Sequence, residues 1–310
     1  MSDISTPGSA PARRHQSHKY KQQSAKMKFT KLQSTGNDFV LIYSEGDLNW
    51  SVLAKDMCDR HFGIGADGLI VLTPSMVADL GMRLFNQDGS EAEVCGNGLR
   101  CVSRYAIDRG LVLRSELFIE TPSGLKTVRI QKDIFQVDMG KPIFKADQIP
   151  MNIKEDADTI IDYPVEVKSR SLSLTCLSMG NPHAVCFVKQ PIARFPLSEI
   201  GPLIENHELF PNRVNFEVAN ILDPQRITAR VWERGVGETL SCGSGACAVV
   251  VGARLHKWVN DEVDVILPGG MLTIGWDSVG EVKLRGPAEL IFHGEWPLKR
   301  GLKAGLKDKG

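Results

Sequence analysis

The stretch Arg83-Leu-Phe-Asn-Gln-Asp-Gly-Ser-Glu-Ala-Glu-Val-Cys-Gly-Asn-Gly98 decides the fold, because its landmarks recur later in the chain. An offset of 147 residues (242 − 95) lays it without a gap on the stretch from Arg230 to Gly245, which ends in Cys242-Gly-Ser-Gly. The arginine, the glutamate at Glu91 and Glu238, and the cysteine of the terminal turn all coincide. The chain therefore contains an internal duplication of a unit of somewhat under 150 residues.

A repeat of this size predicts two similar domains, because solenoid repeats recur every few tens of residues. The 310 residues, 42% of them hydrophobic, suffice for two cores. We expect a first domain over 27–144 and a second over 145–298, whose last strand can cross back to the first domain. Residues 1–26, rich in Ser, Pro, Gln and basic side chains, are predicted to be a disordered tail. Residues 299–310 are predicted to be a flexible tail.

The predicted fold class is α+β, with two pseudo-symmetric domains and the active site in the cleft between them. Each domain is expected to be a curved, mostly antiparallel β layer wrapped around one central helix. In the first copy this helix follows Cys95 and stops at Gly110. In the second it runs from Gly243 to about Lys257 and is apolar on nearly all sides, which predicts burial. The stretch 51–61 is also predicted to be helical.

Composition excludes several classes of partner. The 37 basic and 37 acidic residues balance, so no overall positive field favours nucleic acid. The longest apolar run, 246–253, is far too short to cross a bilayer, and no membrane partner is expected. Seven cysteines without a dense framework favour a reducing compartment. The cytoplasm is therefore expected, or a plastid if the basic N-terminal segment is a targeting remnant.

Both repeated cysteines are predicted to begin a helix, and this position has chemical consequences. A helix N-terminus offers unpaired backbone N–H groups and a positive dipole end, while glycines let a ligand approach closely. An anion is expected to bind there, and the pKa of Cys95 and Cys242 is expected to fall toward neutrality. Free cysteines are often buried, inert residues. Two at matched positions of a duplicated domain favour function instead.

Two thiols on opposite sides of a cleft suit one reaction class. Inversion at carbon needs a base that removes a proton from one face and an acid that delivers a proton to the other. A thiolate and a thiol beside a carboxylate-binding helix end match this need. The sequence therefore predicts racemisation or epimerisation alpha to a carboxylate.

The sequence does not support two other kinds of site. Gly63-Ile-Gly-Ala-Asp-Gly68 has dinucleotide-binding spacing, but a helical pattern precedes it and a strand follows, the reverse of what that fingerprint needs. The cysteines near Cys95 and Cys242 lack CxxC spacing, so no metal site is predicted.

The chain resembles the diaminopimelate epimerase family, which acts without a cofactor. The resemblance spans about residues 27–298. It rests on Thr35-Gly-Asn-Asp-Phe39, Gly63-Ile-Gly-Ala-Asp-Gly68, Phe85-Asn-Gln-Asp-Gly-Ser90, Cys95-Gly-Asn-Gly98, Met179-Gly-Asn-Pro-His183, Arg213-Val-Asn-Phe216 and Trp232-Glu-Arg-Gly-Val-Gly-Glu-Thr239 with Cys242-Gly-Ser-Gly-Ala-Cys247. It implies conversion of LL-diaminopimelate to the meso form, and a homodimer is expected. One departure is Gly68, which stands where many members have a pocket glutamine.

The resemblance also assigns roles to residues. It implies that Cys95 and Cys242 are the acid/base thiols, and that His183 and Glu233 help to set the protonation of the site. The reacting carboxylate would be held by backbone donors of Gly96, Asn97, Gly243 and Ser244. The remaining implied substrate-binding positions are Asn37, Gly68, Asn86, Asn181, Asn215, Glu233 and Arg234.

Alternatives to this assignment remain at the sequence level. Under the 147 offset, Asn86 aligns with Glu233 and Gln87 with Arg234, so the second copy carries the added charges. A guanidinium suits a distal carboxylate and a carboxylate suits an ammonium, which favours a long diamino dicarboxylic substrate. The rival functions are a proline racemase-type enzyme, which would offer nothing to Arg234, and a thiol-redox or non-catalytic protein on the same scaffold.

Overall fold

The computed structural model describes residues 26–92, 95–153 and 157–298. The predicted tails therefore lie outside the described residues, except Lys26, which is the first residue of a strand. The first half contains helices α1 (Trp50–Cys58) and α2 (Gly96–Asp108). Its strands are β1 (Lys26–Ser34), β2 (Asn37–Tyr43), β3 (Gly68–Thr73), β4 (Leu80–Asn86), β5 (Glu91–Ala92), β6 (Glu116–Thr121), β7 (Gly124–Gln131) and β8 (Ile134–Asp138).

The second half contains helices α3 (Leu197–Glu205) and α4 (Gly243–Leu255). A short 3-10 helix over Ile192–Arg194 precedes α3. The strands are β9 (Ile160–Val167), β10 (Arg170–Ser178), β11 (Pro182–Phe187), β12 (Asn215–Asp223), β13 (Arg226–Glu233), β14 (Gly237–Thr239), β15 (Glu262–Leu267), β16 (Gly270–Gly275), β17 (Lys283–Pro287) and β18 (Glu289–Pro297).

The two halves repeat each other strand by strand. The pairings β1–β2, β2–β3, β3–β4, β4–β6, β6–β7 and β7–β8 recur as β10–β11, β11–β12, β12–β13, β13–β15, β15–β16 and β16–β17. In both halves the second and fourth pairings are parallel and the others antiparallel. The predicted α+β fold of two pseudo-symmetric halves is confirmed.

Strand exchange at the edges joins the halves. The C-terminal strand β18 lies antiparallel to β1, the first strand of the chain, just as β9 lies antiparallel to β10. Strand β8 pairs with β17, its counterpart in the second half. The termini of the described chain thus close the first half, and the two sheets are continuous with each other.

Each sheet is covered by a helix on both faces, because its strands alternate two sets of apolar side chains. In β2, Leu41 belongs to the core around α2, while its neighbours Val40 and Ile42 pack with α1. The helix predicted over 51–61 ends at Cys58 instead. The side chain of Asp59 accepts hydrogen bonds from the backbone N–H groups of His61 and Phe62, which form a turn.

Helix α3 was not predicted from the sequence. Its buried residues Leu197, Ile200 and Ile204 follow helical spacing, and they pack on the outer face of the second sheet as α1 does on the first. Helix α4 is buried over residues 245–253, as its all-round apolar pattern indicated. The inner helices α2 and α4 therefore occupy the two cores, with their N-terminal ends toward each other.

Candidate active site

The N-terminal ends of α2 and α4 meet between the halves. A Cβ atom placed on Gly243 would lie 3.8 Å from Oδ1 of Asn97 and 3.1 Å from a methyl carbon of Leu284. The Asn97 amide also donates to the backbone oxygen of Ser241, at 3.4 Å, and to Oδ1 of Asn37, at 3.2 Å. Asn97, at the start of α2, thus links that helix end to the residue before Cys242 and to Asn37.

The turn between β1 and β2 crosses to the second half and brings Asn37 into the cleft. Thr35 adopts a left-handed backbone with φ 50, and its hydroxyl lies 2.7 Å from that of Ser241. A Cβ on Gly269 would lie only 2.0 Å from the carbonyl oxygen of Thr35, so only glycine fits there. This close contact fixes the first half against the second at the edge of the site.

A cavity of about 1120 Å³ opens between the two halves. Residues from both halves line it, including both repeated cysteines. The residues predicted from the sequence that line it are Asn37, Asn86, Cys95, Gly96, Asn97, Asn181, Glu233, Arg234, Cys242, Gly243 and Ser244.

Two predicted residues lie behind the cavity wall instead. His183 is fully buried, and its Nε2 lies 3.0 Å from Oδ1 of Asn181. Asn215 is buried, and its Oδ1 accepts from the backbone N–H of Arg234 at 2.9 Å. Both therefore support residues that face the cavity.

Gly68, which was also predicted to bind substrate, lies outside the cavity lining. It is the first residue of β3, and a Cβ there would lie 2.9 Å from the carbonyl oxygen of Phe85. The position has no room for a side chain and does not line the cavity among the described residues. Its glycine is explained by close packing between strands.

Cys95 is the N-cap of α2, and its sulfur accepts from the backbone N–H of Gly98 at 3.3 Å. The sequence predicted a thiol pKa near neutrality, and this prediction is wrong. Burial raises the pKa of Cys95, the nearby charge of Glu233 adds to the rise, and the Gly98 N–H only partly opposes it. In this cleft, the loss of hydration raises the thiol pKa by more than the helix N-terminus lowers it.

Cys242 occupies the matching position on α4, but its surroundings differ. Within the described residues its side chain makes no N-cap hydrogen bond, and its sulfur lies 3.5 Å from the hydroxyl of Ser244. Burial raises the pKa of Cys242 well above its ordinary value, and the charge of Glu233 raises it further. The two thiols are thus equivalent in the fold and unequal in electrostatics.

Glu233 faces both cysteines from the end of β13. Burial raises the pKa of Glu233, against hydrogen bonds from Thr239 and Cys242 that lower it. The Thr239 hydroxyl donates to Oε1 of Glu233 at 2.5 Å. A carboxyl group with a raised pKa beside a thiol can exchange a proton with it.

The cavity carries charges that the sequence prediction missed. Arg60 lines it and donates to Asp38 and Asp67, at 2.8 Å and 2.7 Å. Asp67 in turn accepts from the amide of Asn37 at 2.7 Å and so orients it. Asp67 lies in the stretch from Gly63 to Gly68, directly before strand β3, and this acidic residue beside the end of a strand was the signal available in the sequence.

Within the described residues, no helix is long and apolar enough to cross a membrane. In the same part of the chain, no three His, Cys, Asp or Glu side chains are grouped so as to hold a metal ion.

Comparison with known proteins assigns the family. A family model described as diaminopimelate epimerase matches residues 29–145 and 175–291, one match for each half. A diaminopimelate epimerase of Carboxydothermus hydrogenoformans is 45% identical over 276 residues, which cover 87% of this chain and 99% of that protein. One of Methanococcus maripaludis is 43% identical over 277 residues, covering 87% and 99%.

Solved structures share the fold at low sequence identity. A phenazine biosynthesis protein of the PhzF family from Bacillus anthracis superposes with a TM-score of 0.66 at 17% identity, covering 88% of this chain and all of that one. A hydroxyproline epimerase from Agrobacterium vitis gives 0.62 at 14% identity, covering 90% and 94%. These two support the architecture alone. The family model and the sequence relatives carry the assignment, and this chain belongs to the diaminopimelate epimerase family.

Proposed function

We propose that this protein epimerises LL-2,6-diaminopimelate to meso-diaminopimelate, a reaction of lysine biosynthesis, with Cys95 and Cys242 as a thiolate and thiol pair. The observation that carries the proposal is that two helix N-termini, each beginning at a cysteine, point into one cavity. The identity of the proposed substrate comes from the names of the sequence relatives described above. The two thiols provide both proton transfers, so the mechanism uses no cofactor.

The proton transfers balance within the pair. One cysteine, as thiolate, removes the alpha proton from one face of the substrate and becomes a thiol. The other, as thiol, delivers a proton to the opposite face and becomes a thiolate. The product carbon is inverted and the enzyme holds the same number of protons as before, with the roles of the thiols exchanged.

The reacting carboxylate is proposed to lie between the two helix ends. Backbone N–H groups of Gly96 and Asn97 on one side, and of Gly243 and Ser244 on the other, can donate to it. Because negative charge grows on this carboxylate as the proton leaves, donors fixed in place beforehand lower the barrier. Dipoles of two helices add to the same effect.

The far end of the substrate is proposed to bind at Arg234. Its backbone is fixed by Asn215 and its guanidinium donates to the backbone oxygen of Asn212 at 3.0 Å. Arg234 is exposed at the cavity and can form a forked contact with a distal carboxylate. Asn86 and Asn181 are proposed to hold the amino groups, with Glu233 near the reacting centre.

Isotope exchange tests the proposal. In deuterated water under reducing conditions, the enzyme should place deuterium at the alpha carbon of LL-diaminopimelate, as read by proton NMR. Cys95→Ala and Cys242→Ala should each abolish epimerisation, while Cys58→Ala, which alters a buried thiol in the outer core, should retain it. Absence of exchange in the folded, reduced enzyme would rule out the reaction.

The same enzyme preparation distinguishes the two alternative functions. Exchange on L-proline with none on diaminopimelate would indicate a proline racemase-type enzyme. A reversible Cys95–Cys242 disulfide coupled to electron transfer, without any alpha exchange, would indicate a redox protein.

We further propose a homodimer in a reducing compartment, the cytoplasm. Strand β18 pairs with β1 on one side, and its Ile291 and Phe292 are 51% and 45% exposed. An exposed strand with apolar side chains is suited to meet a second copy. Sedimentation of the full chain tests this, and a monomer at micromolar concentration would contradict it.

A further inference from the structure

Arg100 is a buried charge that the proposed reaction leaves without a role. It lies on α2, five residues after Cys95, and its side chain is 0% exposed. Its hydrogen bonds go to neutral groups, the oxygens of Ser34, Thr35, Asn97 and Pro287. No ion pair of Arg100 occurs among the residues that the structure describes.

One nitrogen of this guanidinium has no partner at all in the described part of the chain. Nη1 of Arg100 is buried and without a hydrogen bond. A Cβ placed on Gly96 would lie 3.8 Å from this same nitrogen, so Nη1 faces the first turn of α2. A buried cation without an opposite charge is unfavourable on general grounds. Arg100 in this state is therefore a candidate for a functional role.

The duplication provides a comparison within the molecule. Under the 147 offset, Arg100 aligns with Cys247, a buried uncharged residue of α4. The first half therefore has a fixed positive charge behind its helix end, and the second half has none at the same place. The fully buried Glu217 raises the pKa of Cys242, Glu233 raises the pKa of both thiols, and Arg100 lowers the pKa of Cys95.

Arg100 also touches the part of the site that would bind the reacting carboxylate. Its Nη2 donates to Oδ1 of Asn97 at 2.6 Å, and Asn97 lines the cavity at the N-terminus of α2. The titratable groups that face Arg100 are Cys95 and Cys101 from the α2 side and Cys247 from α4. Burial lowers the pKa of Arg100 to about 10, so it remains charged at neutral pH.

We propose that Arg100 is a positioning residue that draws negative charge to the Cys95 side of the site, so that Cys95 loses its proton before Cys242 does. Its charge adds to the dipole of α2 at the point where Cys95 caps that helix. The asymmetry of the two halves then decides which thiol starts as the base. This inference rests on the proposed two-thiol reaction for its purpose, and its test uses no substrate.

Alkylation by iodoacetamide across pH 6–11, read for each cysteine peptide by mass spectrometry, measures the order of ionisation. In the wild-type enzyme the alkylation midpoint of Cys95 should lie below that of Cys242. Arg100→Gln should raise the Cys95 midpoint by at least about one pH unit. The Cys242 midpoint should move much less, and Arg100→Lys, which keeps a charge, should stay near wild type.

The variant Ser34→Ala distinguishes an effect of the Arg100 charge from an effect of local packing. It removes the 2.9 Å bond between Ser34 and Nε of Arg100 but leaves the guanidinium in place. If Ser34→Ala reproduced the Arg100→Gln shift, or if both midpoints moved together, Arg100 would be a merely structural residue. If Arg100→Gln fails to fold, the wild-type order decides, because Cys242 ionising first would overturn the proposal. If the alkylation order is as predicted but no isotope exchange occurs, the proposed epimerisation is overturned and the proposed role of Arg100 is not.

Discussion

Nδ1 of His183 lies 2.8 Å from Oε1 of Glu217, and both side chains are completely buried. The other ring nitrogen of His183 contacts Asn181, whose amide lies 3.4 Å from the hydroxyl of Ser244. Ser244 in turn contacts the sulfur of Cys242. A chain of polar contacts therefore runs from a buried acid to the second thiol, and it holds the groups behind that thiol in one arrangement.

Removing Glu217 tests this chain. Glu217→Ala should lower the free energy of unfolding by about 1–3 kcal/mol, because it leaves Nδ1 of His183 buried without its hydrogen-bond partner. Glu217→Gln should have a smaller effect on stability, since its amide oxygen can still accept from His183. Urea unfolding measures both. Glu295→Gln, at the exposed ion pair with Lys26, is the matched control and should change little. An equal effect of Glu217→Ala and Glu295→Gln would contradict the interpretation.

Glu233 should make stability depend on pH with a defined sign. Burial raises the pKa of Glu233 in the folded protein, so the folded state holds this proton more tightly than the unfolded chain. The resulting stability is complete below the ordinary carboxyl pKa and is lost as the pH rises through the raised value. Glu233→Gln does not titrate, so its stability relative to wild type should increase over that interval.

Glu91→Gln is a control of opposite sign for this experiment. The hydrogen bond from Arg83 lowers the pKa of Glu91, so the wild-type contribution is present above the ordinary carboxyl pKa and is lost as the pH falls. Thermal unfolding from pH 4 to pH 9 follows both variants. A stability difference between Glu233→Gln and wild type that stays flat over this range would sink the prediction.

Gly269→Ala should damage the contact between the halves. The added Cβ would lie 2.0 Å from the carbonyl oxygen of Thr35 and 2.8 Å from its carbonyl carbon, and backbone atoms cannot rotate away. We expect a loss of about 1–3 kcal/mol in unfolding free energy. Activity should also fall, because the same turn carries Asn37. In Gly46→Ala the nearest atom would be 3.8 Å away, so both quantities should stay unchanged.

The duplication could be predicted because short segments of the two halves match each other in sequence. Arg83 and Arg230, matched by the offset, each form a forked ion pair, with Glu91 and Glu238 respectively. The cysteine positions at the helix ends followed from glycines and apolar periodicity. What could not be predicted depends on long-range packing. The pairing of β8 with β17 and the buried state of Arg100 arise only when distant segments meet.

The thiol pKa values were predicted in the wrong direction for the same reason. A helix N-terminus is visible in the sequence, whereas the closure of the cleft over Cys95 and Cys242 is not. The local effect lowers the pKa of a thiol, and the burial created by the second half raises it by more. The desolvation of these two sulfur atoms depends on packing that the local sequence does not contain.

The raised thiol pKa values predict an alkaline activity profile. The proposed reaction needs one thiolate and one thiol, and burial together with Glu233 raises the pKa of both groups. The value of kcat/KM should therefore increase about tenfold per pH unit on the acidic side, as the first thiol ionises. It should decline again only when the second thiol also loses its proton. Initial rates of epimerisation between pH 6 and pH 10, with folding followed by circular dichroism, measure the profile. A maximum below pH 7 would show that the thiolate forms more easily than the buried cleft allows.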